Sequence, residues 1–199
     1  LSKGSLTEPV ACAVRIGGWA GEVAHQPVLI VGGGAIGLLT LQIMQRKSAD
    51  PVFISELNPE RRAVADSLGA TVLDPSVEEI TETVRARVGS VAVAVDAVGL
   101  GITRAQCVDS VERAGTVILS GLHEEASSFP VADAIRKEVT VQSGFCYTPA
   151  DFDAAVALLA ADAVRMEGWV VDAPLAEGDA WFKRLIDDPG GAAKVLLVP

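Results

Sequence analysis

Residues 28–39, VLIVGGGAIGLL, decide the fold of this chain. Four apolar residues that read as a buried strand run into a turn with glycines at Gly32, Gly34 and Gly37, and a helical pattern begins in the same unit. Gly32 allows a tight turn, Gly34 leaves room for an approaching phosphate group, and Gly37 lets the helix lie close to the strand. Free N–H groups at the start of such a helix attract anions. The spacing therefore predicts a dinucleotide-binding turn.

An acidic residue follows the next apolar run at the spacing that this turn requires. Glu56 comes directly after PVFIS, about twenty residues beyond Gly37. Its carboxylate is expected to accept hydrogen bonds from ribose hydroxyls and to repel a 2′-phosphate, which favours NAD over NADP. The alternative is that Glu56 only begins a solvated loop. Arg61 and Arg62 follow closely, and an arginine here can neutralise a 2′-phosphate or simply carry the charge of a helix surface.

Composition excludes several classes of function. The chain has 199 residues, half of them hydrophobic, and a formal net charge of −10, whereas nucleic-acid binding requires a basic footprint. No run approaches the ~20 apolar residues of a membrane span, and no secretory signal is visible. We therefore expect a cytoplasmic globular protein that binds neither nucleic acid nor membrane.

The cysteines and histidines form no recognisable site. Cys12, Cys107 and Cys146 are odd in number, widely spaced and without a CxxC pair, so neither a disulfide framework nor a zinc knuckle is expected. We interpret them as buried free thiols in a reducing compartment. His25 and His123 form no triad with them, and we expect loop or core roles for both.

Short β-branched runs alternate with helical patterns along the chain, which is typical of βαβ units. This pattern predicts an α/β fold with a doubly wound, six-stranded parallel sheet of the Rossmann type, in the order 3-2-1-4-5-6. Asn58 is expected to cap a helix that Gly69 ends. The predicted strands are residues 28–31, 52–55, 71–73, 91–95, 116–119 and 139–142, and the predicted helices are residues 35–46, 59–68, 77–87, 102–113 and 131–136.

Residues directly after the fourth and fifth strands are expected to line the ligand crevice, because this topology opens at the switch between strands one and four. Gly99 and Gly121 either allow the backbone to approach a ligand or only satisfy a turn. Asp96 either lines this crevice or only caps the end of its strand, and no residue of the chain is predicted to be catalytic. The candidates for cofactor contact at these strand ends are Val98, Gly99, Ser120, Gly121 and Leu122.

Three regions are expected along the chain. Residues 1–25 are predicted to be a flanking segment, residues 26–168 the dinucleotide-binding domain, and residues 169–199 a C-terminal tail. After the sixth strand we expect a helix over residues 150–161, a strand at GWVVDA, a helix over residues 177–186 and a final strand in AKVLLVP. Trp169 and Trp181 are expected to be packing residues.

From EPVACAV onward, a series of motifs resembles the zinc-containing alcohol and polyol dehydrogenases of the medium-chain dehydrogenase/reductase superfamily. In order they are the glycine turn, ELNPERRAVADSLGA, AVDAVG, AGTVILSGL and GGAAKVLLVP, and their order is more specific than any one of them. The resemblance implies an NAD(P)-binding domain that works with a separate N-terminal GroES-like barrel carrying most zinc ligands. These residues contain no such barrel, so we expect the chain to bind NAD without holding zinc or turning over alcohol.

The resemblance also implies roles for individual residues. Glu8 matches a glutamate beside the metal, although the residue by itself reads equally as a segment-end acid. Ala35 and Ile36 match positions over the pyrophosphate, Arg61 a side chain that stacks on adenine, and Leu122 a position near the nicotinamide carboxamide. Two stretches depart from the family pattern, HQPVLIVG before the turn and WVVDAPL near the end, and they leave the substrate open.

The leading functional hypothesis is hydride transfer between an alcohol or polyol and NAD in the intact enzyme. One alternative is a free-standing nucleotide-sensing module. Another is an S-adenosylmethionine-dependent methyltransferase, whose glycine turn usually lacks a third glycine such as Gly37. A homodimer is expected through the open sheet edge near Val139 and Phe145.

Overall fold

The computed structural model describes residues 3–199, and its centre is a six-stranded parallel sheet in the order β3-β2-β1-β4-β5-β6. This order confirms the predicted doubly wound topology. The strands are β1 (Val28–Val31), β2 (Val52–Ser55), β3 (Thr71–Leu73), β4 (Val91–Asp96), β5 (Val111–Leu119) and β6 (Thr140–Ser143).

Residues 3–199 also form eight α-helices and a small second sheet. The second sheet pairs β7 (Val170–Pro174) with β8 (Lys194–Val198) in parallel, and short 3-10 helices occur at Gly4–Leu6 and Leu175–Glu177. None of the helices in this part of the chain is long and apolar enough to cross a bilayer. The helices are α1 (Thr7–Trp19), α2 (Ala35–Arg46), α3 (Pro59–Ser67), α4 (Ile80–Val88), α5 (Gly101–Ser110), α6 (Val131–Lys137), α7 (Pro149–Ala160) and α8 (Gly178–Asp187).

The main sheet is covered on both faces. Along β1, Val28 and Ile30 belong to one apolar cluster, whereas Leu29 and Val31 belong to the other, because successive side chains of a strand point to opposite faces. The first cluster includes residues of α1, α2, α3 and α7, and the second includes residues of α4, α5 and α6. All four β1 side chains are buried, as expected for a central strand of a parallel sheet.

The N-terminal residues take part in the first of these clusters. Helix α1 packs against α2 and α7, and its side chains Val10, Ala13 and Ile16 are at most 2% exposed. At the other end, Trp169 is fully buried in the same cluster, and its indole Nε1 donates to Arg165 O at 3.1 Å, so the predicted packing role is confirmed. The predicted divisions at residues 25 and 168 stay predictions, but both flanks contribute to this core.

The predicted caps of α3 are present. The Asn58 side chain accepts a hydrogen bond from Arg61 N at 3.0 Å, and Pro59 occupies the first turn. Gly69 follows the helix with a φ of +90°, a conformation that glycine adopts without strain. Local sequence signals thus fix both ends of this helix.

The prediction of a helix over residues 102–113 is wrong at its end. Helix α5 stops at Ser110, and Val111 already pairs with Val91 of β4. Lys137 Nζ donates to the carbonyl oxygens of Val108, Asp109 and Val111 at 2.7–3.0 Å. This distant side chain satisfies acceptors that continuation of the helix would otherwise use.

Strand β5 begins at Val111 rather than residue 116, and a turn or cap shifts the start of two further elements. Helix α4 begins at Ile80 rather than residue 77, because Ser76 N and Oγ both donate to Asp74 Oδ1 in a turn that precedes it. Strand β6 begins at Thr140 rather than residue 139, because Val139 N still donates to Ala134 O at the end of α6. In both places a turn or cap contains residues that the sequence pattern assigns to the helix or strand.

Candidate functional site

The glycine turn between β1 and α2 has the geometry that its spacing predicts. Gly32 has a φ of +106°, and a Cβ on Gly37 would lie 1.8 Å from Gly32 O, so both positions exclude a side chain. Gly34 is the N-cap residue of α2, and a Cβ there would meet nothing within 4 Å. The N-terminus of α2 therefore opens onto free space, as an anion site requires.

Glu56 lies at the end of β2 against this turn. Its carboxylate oxygen Oε2 accepts from Gly33 N at 2.6 Å, and Oε1 accepts from Asn58 N at 2.8 Å. Two backbone donors thus hold the half-buried carboxylate beside the glycines. The carboxylate is therefore fixed against the turn, and its contact with a ribose remains a prediction.

The two arginines of α3 differ in their partners. The Arg62 guanidinium donates to Glu56 O at 2.9 Å and to Leu57 O at 2.6 Å, and it lies 2.6 Å from a carboxylate oxygen of Asp74. Hydrogen bonds from Ser76, together with the charge of Arg62, lower the pKa of Asp74. Arg62 therefore holds in place the two residues that follow β2.

Arg61 makes a different connection. Its guanidinium donates to Ala192 O at 2.8 Å, just before β8, and its buried Nε has no hydrogen-bond partner within residues 3–199. The side chain ties the start of α3 to the C-terminal region while bordering the cleft described next.

A cleft of about 430 Å³ opens at the carboxyl ends of β1, β2 and β4. It brings together the predicted residues Gly32, Gly34, Glu56, Arg61 and Val98. The cleft is also lined by apolar and polar residues that sequence reasoning missed. They lie directly after β2 and β3 and at the start of α5, and these positions are the signal that could have found them. These residues are Leu57, Pro75, Leu100, Ile102, Thr103 and Gln106.

Asp96 is a buried strand-end cap. The fully buried carboxylate accepts through Oδ1 from Val98 N at 3.0 Å, Gly99 N at 2.9 Å and Thr103 Oγ1 at 2.9 Å. Arg104 Nε lies 3.6 Å from its other oxygen. This carboxylate holds the loop between β4 and α5 in place rather than facing a ligand.

Gly99 and Gly121 pack against each other. A Cβ on Gly99 would lie 2.4 Å from Gly121 C, and a Cβ on Gly121 would lie 2.2 Å from Gly99 N. Neither glycine borders the larger cleft. The loops after β4 and β5 therefore meet backbone to backbone, and contact of these glycines with a ligand remains a prediction.

A smaller cavity of about 170 Å³ lies beyond the first turn of α2, and it contains the predicted residues Ile36, Ser120 and Leu122. Ala35 is the first residue of α2 and borders neither space. The sequence-based candidates that border a cavity thus divide between two of them, whereas Gly37, Gly99 and Gly121 border neither. The smaller one is completed by residues that sequence reasoning missed, from α1 and from the loop after β6: Cys12, Ile16, Trp19, Gly144, Phe145 and Cys146.

Glu8 and Cys12 are one helical turn apart on α1. Cys12 Sγ donates to Glu8 Oε1 at 3.5 Å, and burial, with the Glu8 charge second, raises the pKa of Cys12 to about 12. No group of three or more His, Cys, Asp and Glu residues among residues 3–199 could hold a metal ion. The role of Glu8 beside a metal remains a prediction, and the residues described here do not by themselves fit a zinc site.

The cysteine prediction is correct in one part and wrong in another. All three thiols are free, but Cys107 alone of them is fully buried, whereas Cys12 is half-buried and Cys146 is exposed. Burial, with the charge of Asp96 adding to it, raises the pKa of Cys107. The two histidines are both exposed.

Residues 35–161, which include five of the six strands of the main sheet, match the family model described as zinc-binding dehydrogenase. The chain belongs to the zinc-binding dehydrogenase family. This membership confirms the resemblance drawn from the motifs.

Curated dehydrogenases align with most of the chain but extend beyond it. (R,R)-Butanediol dehydrogenase of Bacillus subtilis is 28% identical over 204 residues, covering 99% of this chain and 58% of that protein. Sorbitol dehydrogenase of Ovis aries is 28% identical over 170 residues, covering 83% of this chain and 48% of that protein. The chain thus spans about half the length of the curated relatives it matches.

Solved structures of the family share the fold. The crystal structure of 2R,3R-butanediol dehydrogenase from Bacillus subtilis has a TM-score of 0.89 at 27% identity, with 98% of this chain and 57% of that chain covered. A Sinorhizobium meliloti protein described as a zinc-binding dehydrogenase, solved bound to NADP, has a TM-score of 0.86 at 28% identity and covers 99% and 59%.

Proposed function

We propose that this chain is the cofactor-binding part of an NAD-linked, zinc-dependent alcohol or polyol dehydrogenase. The observation that carries the proposal is that Gly34 and Glu56 border one cleft. Gly34 offers the open N-terminus of α2, and Glu56 offers a fixed carboxylate. Together they supply donors for a diphosphate and acceptors for a ribose.

The remaining candidates extend this arrangement. Gly32 and Gly37 shape the turn, Ala35 and Ile36 lie at its helical end, and the pyrophosphate would rest on the N–H groups between them. Arg61 and Val98 would flank adenosine in the larger cleft. Towards the other end, the candidates for contact with nicotinamide are Gly99, Ser120, Gly121 and Leu122.

Preference for NAD over NADP follows from the charge of Glu56, which repels a 2′-phosphate. Of the two competing cations, Arg62 is already paired with Asp74 and two carbonyl oxygens, and Arg61 donates to Ala192 O. Against this, a family member at 28% identity was solved with NADP. The preference is therefore proposed from Glu56 rather than from the relatives.

The catalytic activity belongs to the longer protein. The names of the relatives, a butanediol and a sorbitol dehydrogenase, support a small alcohol or polyol as substrate. The nicotinamide ring supplies the hydride-accepting carbon when it is bound. Because residues 3–199 offer no metal-holding cluster, we expect this chain alone to bind NAD and not to oxidise alcohol, with Glu8 contributing beside a zinc whose other ligands come from outside it.

Isothermal titration calorimetry with NAD and NADP tests the proposal. The unmodified chain should bind NAD more tightly than NADP, and Glu56→Ala should weaken NAD binding by about tenfold, the effect of losing ~1.4 kcal/mol of hydrogen bonding. The matched control is Glu60→Ala, which removes an exposed acid of α3 four positions further along the chain. This variant should bind NAD like the unmodified chain. Unchanged NAD affinity in Glu56→Ala would refute Glu56 as the ribose ligand.

Two alternatives remain open to direct tests. A free-standing nucleotide sensor would have no barrel, so an in-frame upstream extension with Cys and His-Glu motifs would exclude it. An S-adenosylmethionine-dependent methyltransferase would bind that cofactor in preference to NAD, and a competition titration separates the two. Gly37, packed on Gly32 O, favours the dinucleotide.

The division into residues 1–25, 26–168 and 169–199 is proposed as the boundary with the rest of the enzyme. Helix α8 supports it, because Phe182 is 70% exposed and Ile186 is 82% exposed beside the small β7–β8 sheet. A two-stranded sheet is marginally stable alone, and such apolar side chains are candidates for contact with a catalytic lobe.

We also propose a cytoplasmic homodimer. Strand β6 pairs with β5 and has no further partner among residues 3–199. Thr140 and Val141 on this edge are exposed, and Phe145, just beyond it, is 80% exposed. An open, partly apolar edge of this kind favours pairing with a second copy.

A further inference from the structure

Two thiols border the smaller cavity from different elements. Cys12 lies on α1, and Cys146 lies in the loop between β6 and α7. The cavity that they share is about 170 Å³, a space comparable to a few water molecules. The two side chains therefore face a common small volume although 134 positions separate them in the chain.

Packing holds these two elements together. A Cβ on Gly144 would lie 1.4 Å from Trp19 Cη2, so the indole of Trp19 occupies the side-chain position of Gly144. Trp19 and Cys12 are both on α1, and Gly144 comes two residues before Cys146. Because α1 packs directly against this loop, the two thiols border the same cavity.

The thiols differ in their access to solvent. Cys146 is exposed, whereas Cys12 is half-buried and donates to Glu8 Oε1 at 3.5 Å. A dissolved oxidant therefore reaches Cys146 first. Cys107 is fully buried in the cluster on the opposite face of the sheet and serves as an internal reference.

We propose that Cys12 and Cys146 form a reversible disulfide when the protein meets a peroxide, and that this bond closes the smaller cavity. Weaker cofactor binding after closure rests on the proposed function. In that proposal Ile36 contacts the pyrophosphate and Leu122 contacts the nicotinamide, and both residues line this cavity. Formation of the bond itself does not depend on the proposed function.

The chemistry proceeds in two steps. The Cys146 sulfur attacks a peroxide oxygen, the O–O bond breaks, and the products are a sulfenic acid and one water. The Glu8 carboxylate, which accepts the hydrogen bond of the Cys12 thiol, takes its proton as the Cys12 sulfur attacks the Cys146 sulfur. An S–S bond forms, and the S–O bond breaks. The departing hydroxyl leaves as water with the Cys12 proton. Hydrogen peroxide is thereby reduced by two electrons, and a dithiol reductant reverses the change.

Peptide mapping under non-reducing conditions tests the bond. After treatment of the 199-residue chain with hydrogen peroxide, mass spectrometry should find peptides joined through Cys12 and Cys146, and dithiothreitol should separate them. The variants Cys12→Ser and Cys146→Ser should lose the joined peptides, whereas Cys107→Ala should keep them. Detection of Cys146 only as sulfinic acid, or joined only to a second copy of itself, would overturn the proposal.

Calorimetry with NAD tests closure of the cavity. The oxidised chain should bind NAD at least tenfold more weakly than the reduced chain, with recovery after dithiothreitol and no such loss in Cys146→Ser. A disulfide that leaves NAD affinity unchanged contradicts closure. A disulfide in a chain that never binds NAD contradicts the proposed function and leaves the bond standing.

Discussion

The Glu56 carboxylate and the Gly33 backbone N–H form a hydrogen bond of 2.6 Å between the end of β2 and the glycine turn after β1. A Cβ on Gly33 would lie 3.0 Å from Glu56 Cγ, so the two residues are also in close contact. The acid and the glycines, recognised separately in the sequence, thus form one structural unit. Any ribose that engages this carboxylate does so beside the glycine turn.

Substitution of Gly37 should destabilise the protein, whereas substitution of Gly34 should mainly affect ligand binding. A Cβ on Gly37 would overlap Gly32 O, and we expect Gly37→Ala to lose about 3 kcal/mol of unfolding free energy. Gly34→Ala meets no neighbour and should lose about 1 kcal/mol or less as an N-cap change. Urea denaturation measures both. Equal losses in the two variants would contradict the packing argument.

Removal of the Asp96 carboxylate should loosen the loop between β4 and α5. Asp96→Ala leaves the backbone donors of Val98 and Gly99 without their acceptor and the Arg104 charge without its neighbour. The expected loss is about 3 kcal/mol in urea denaturation. Asp109→Ala, at an exposed position of α5, is the control and should change stability by less than about 0.5 kcal/mol. A comparable loss in both variants would show that burial of Asp96 is not the cause.

The lowered pKa of Asp74 predicts an acid-sensitive contribution to stability. Hydrogen bonds from Ser76 and the Arg62 charge favour the ionised carboxylate in the folded state. The contribution is therefore complete above the unfolded pKa of about 4 and is lost as the pH falls below it. Asp74→Asn should be less stable than the unmodified chain at pH 7 and should lose less stability between pH 7 and pH 3. Asp66→Asn, an exposed acid on α3, serves as the control and should titrate like the unmodified chain.

A charge on the β6 edge should prevent the proposed dimer. Val141→Asp introduces a carboxylate at an exposed edge position, where a second copy would have to bury it. Size-exclusion chromatography at micromolar concentration should find a dimer for the unmodified chain and a monomer for the variant. Val77→Asp, at a site that is 81% exposed before α4, should remain dimeric. A monomeric unmodified chain would contradict the dimer.

The parts of the fold that could be predicted are those that depend on residues close together in the sequence. Asn58, Pro59 and Gly69 delimit α3, and the glycine turn delimits α2, because each signal acts through backbone groups a few positions away. The end of α5 could not be predicted in this way. It depends on Lys137, which reaches three carbonyl oxygens from the next helix along the chain.

The same distinction applies to the candidate site. The larger cleft contains the residues that its motif identifies, since strand order alone brings Gly34, Glu56 and Val98 to one edge. The smaller cavity needs Cys12 and Trp19 from α1, a segment whose sequence carries no signal for where it packs. Tertiary packing of that helix, rather than any local pattern, brings these side chains to the site.

The close contact between Gly99 and Gly121 connects the loops that follow β4 and β5. Neither glycine can gain a side chain unless the other loop is displaced, because each backbone fills the volume that a methyl group on the other would need. Evolution could alter the length or course of one loop only by compensating in its neighbour. Sequence variation would then be tolerated more readily at positions away from this contact.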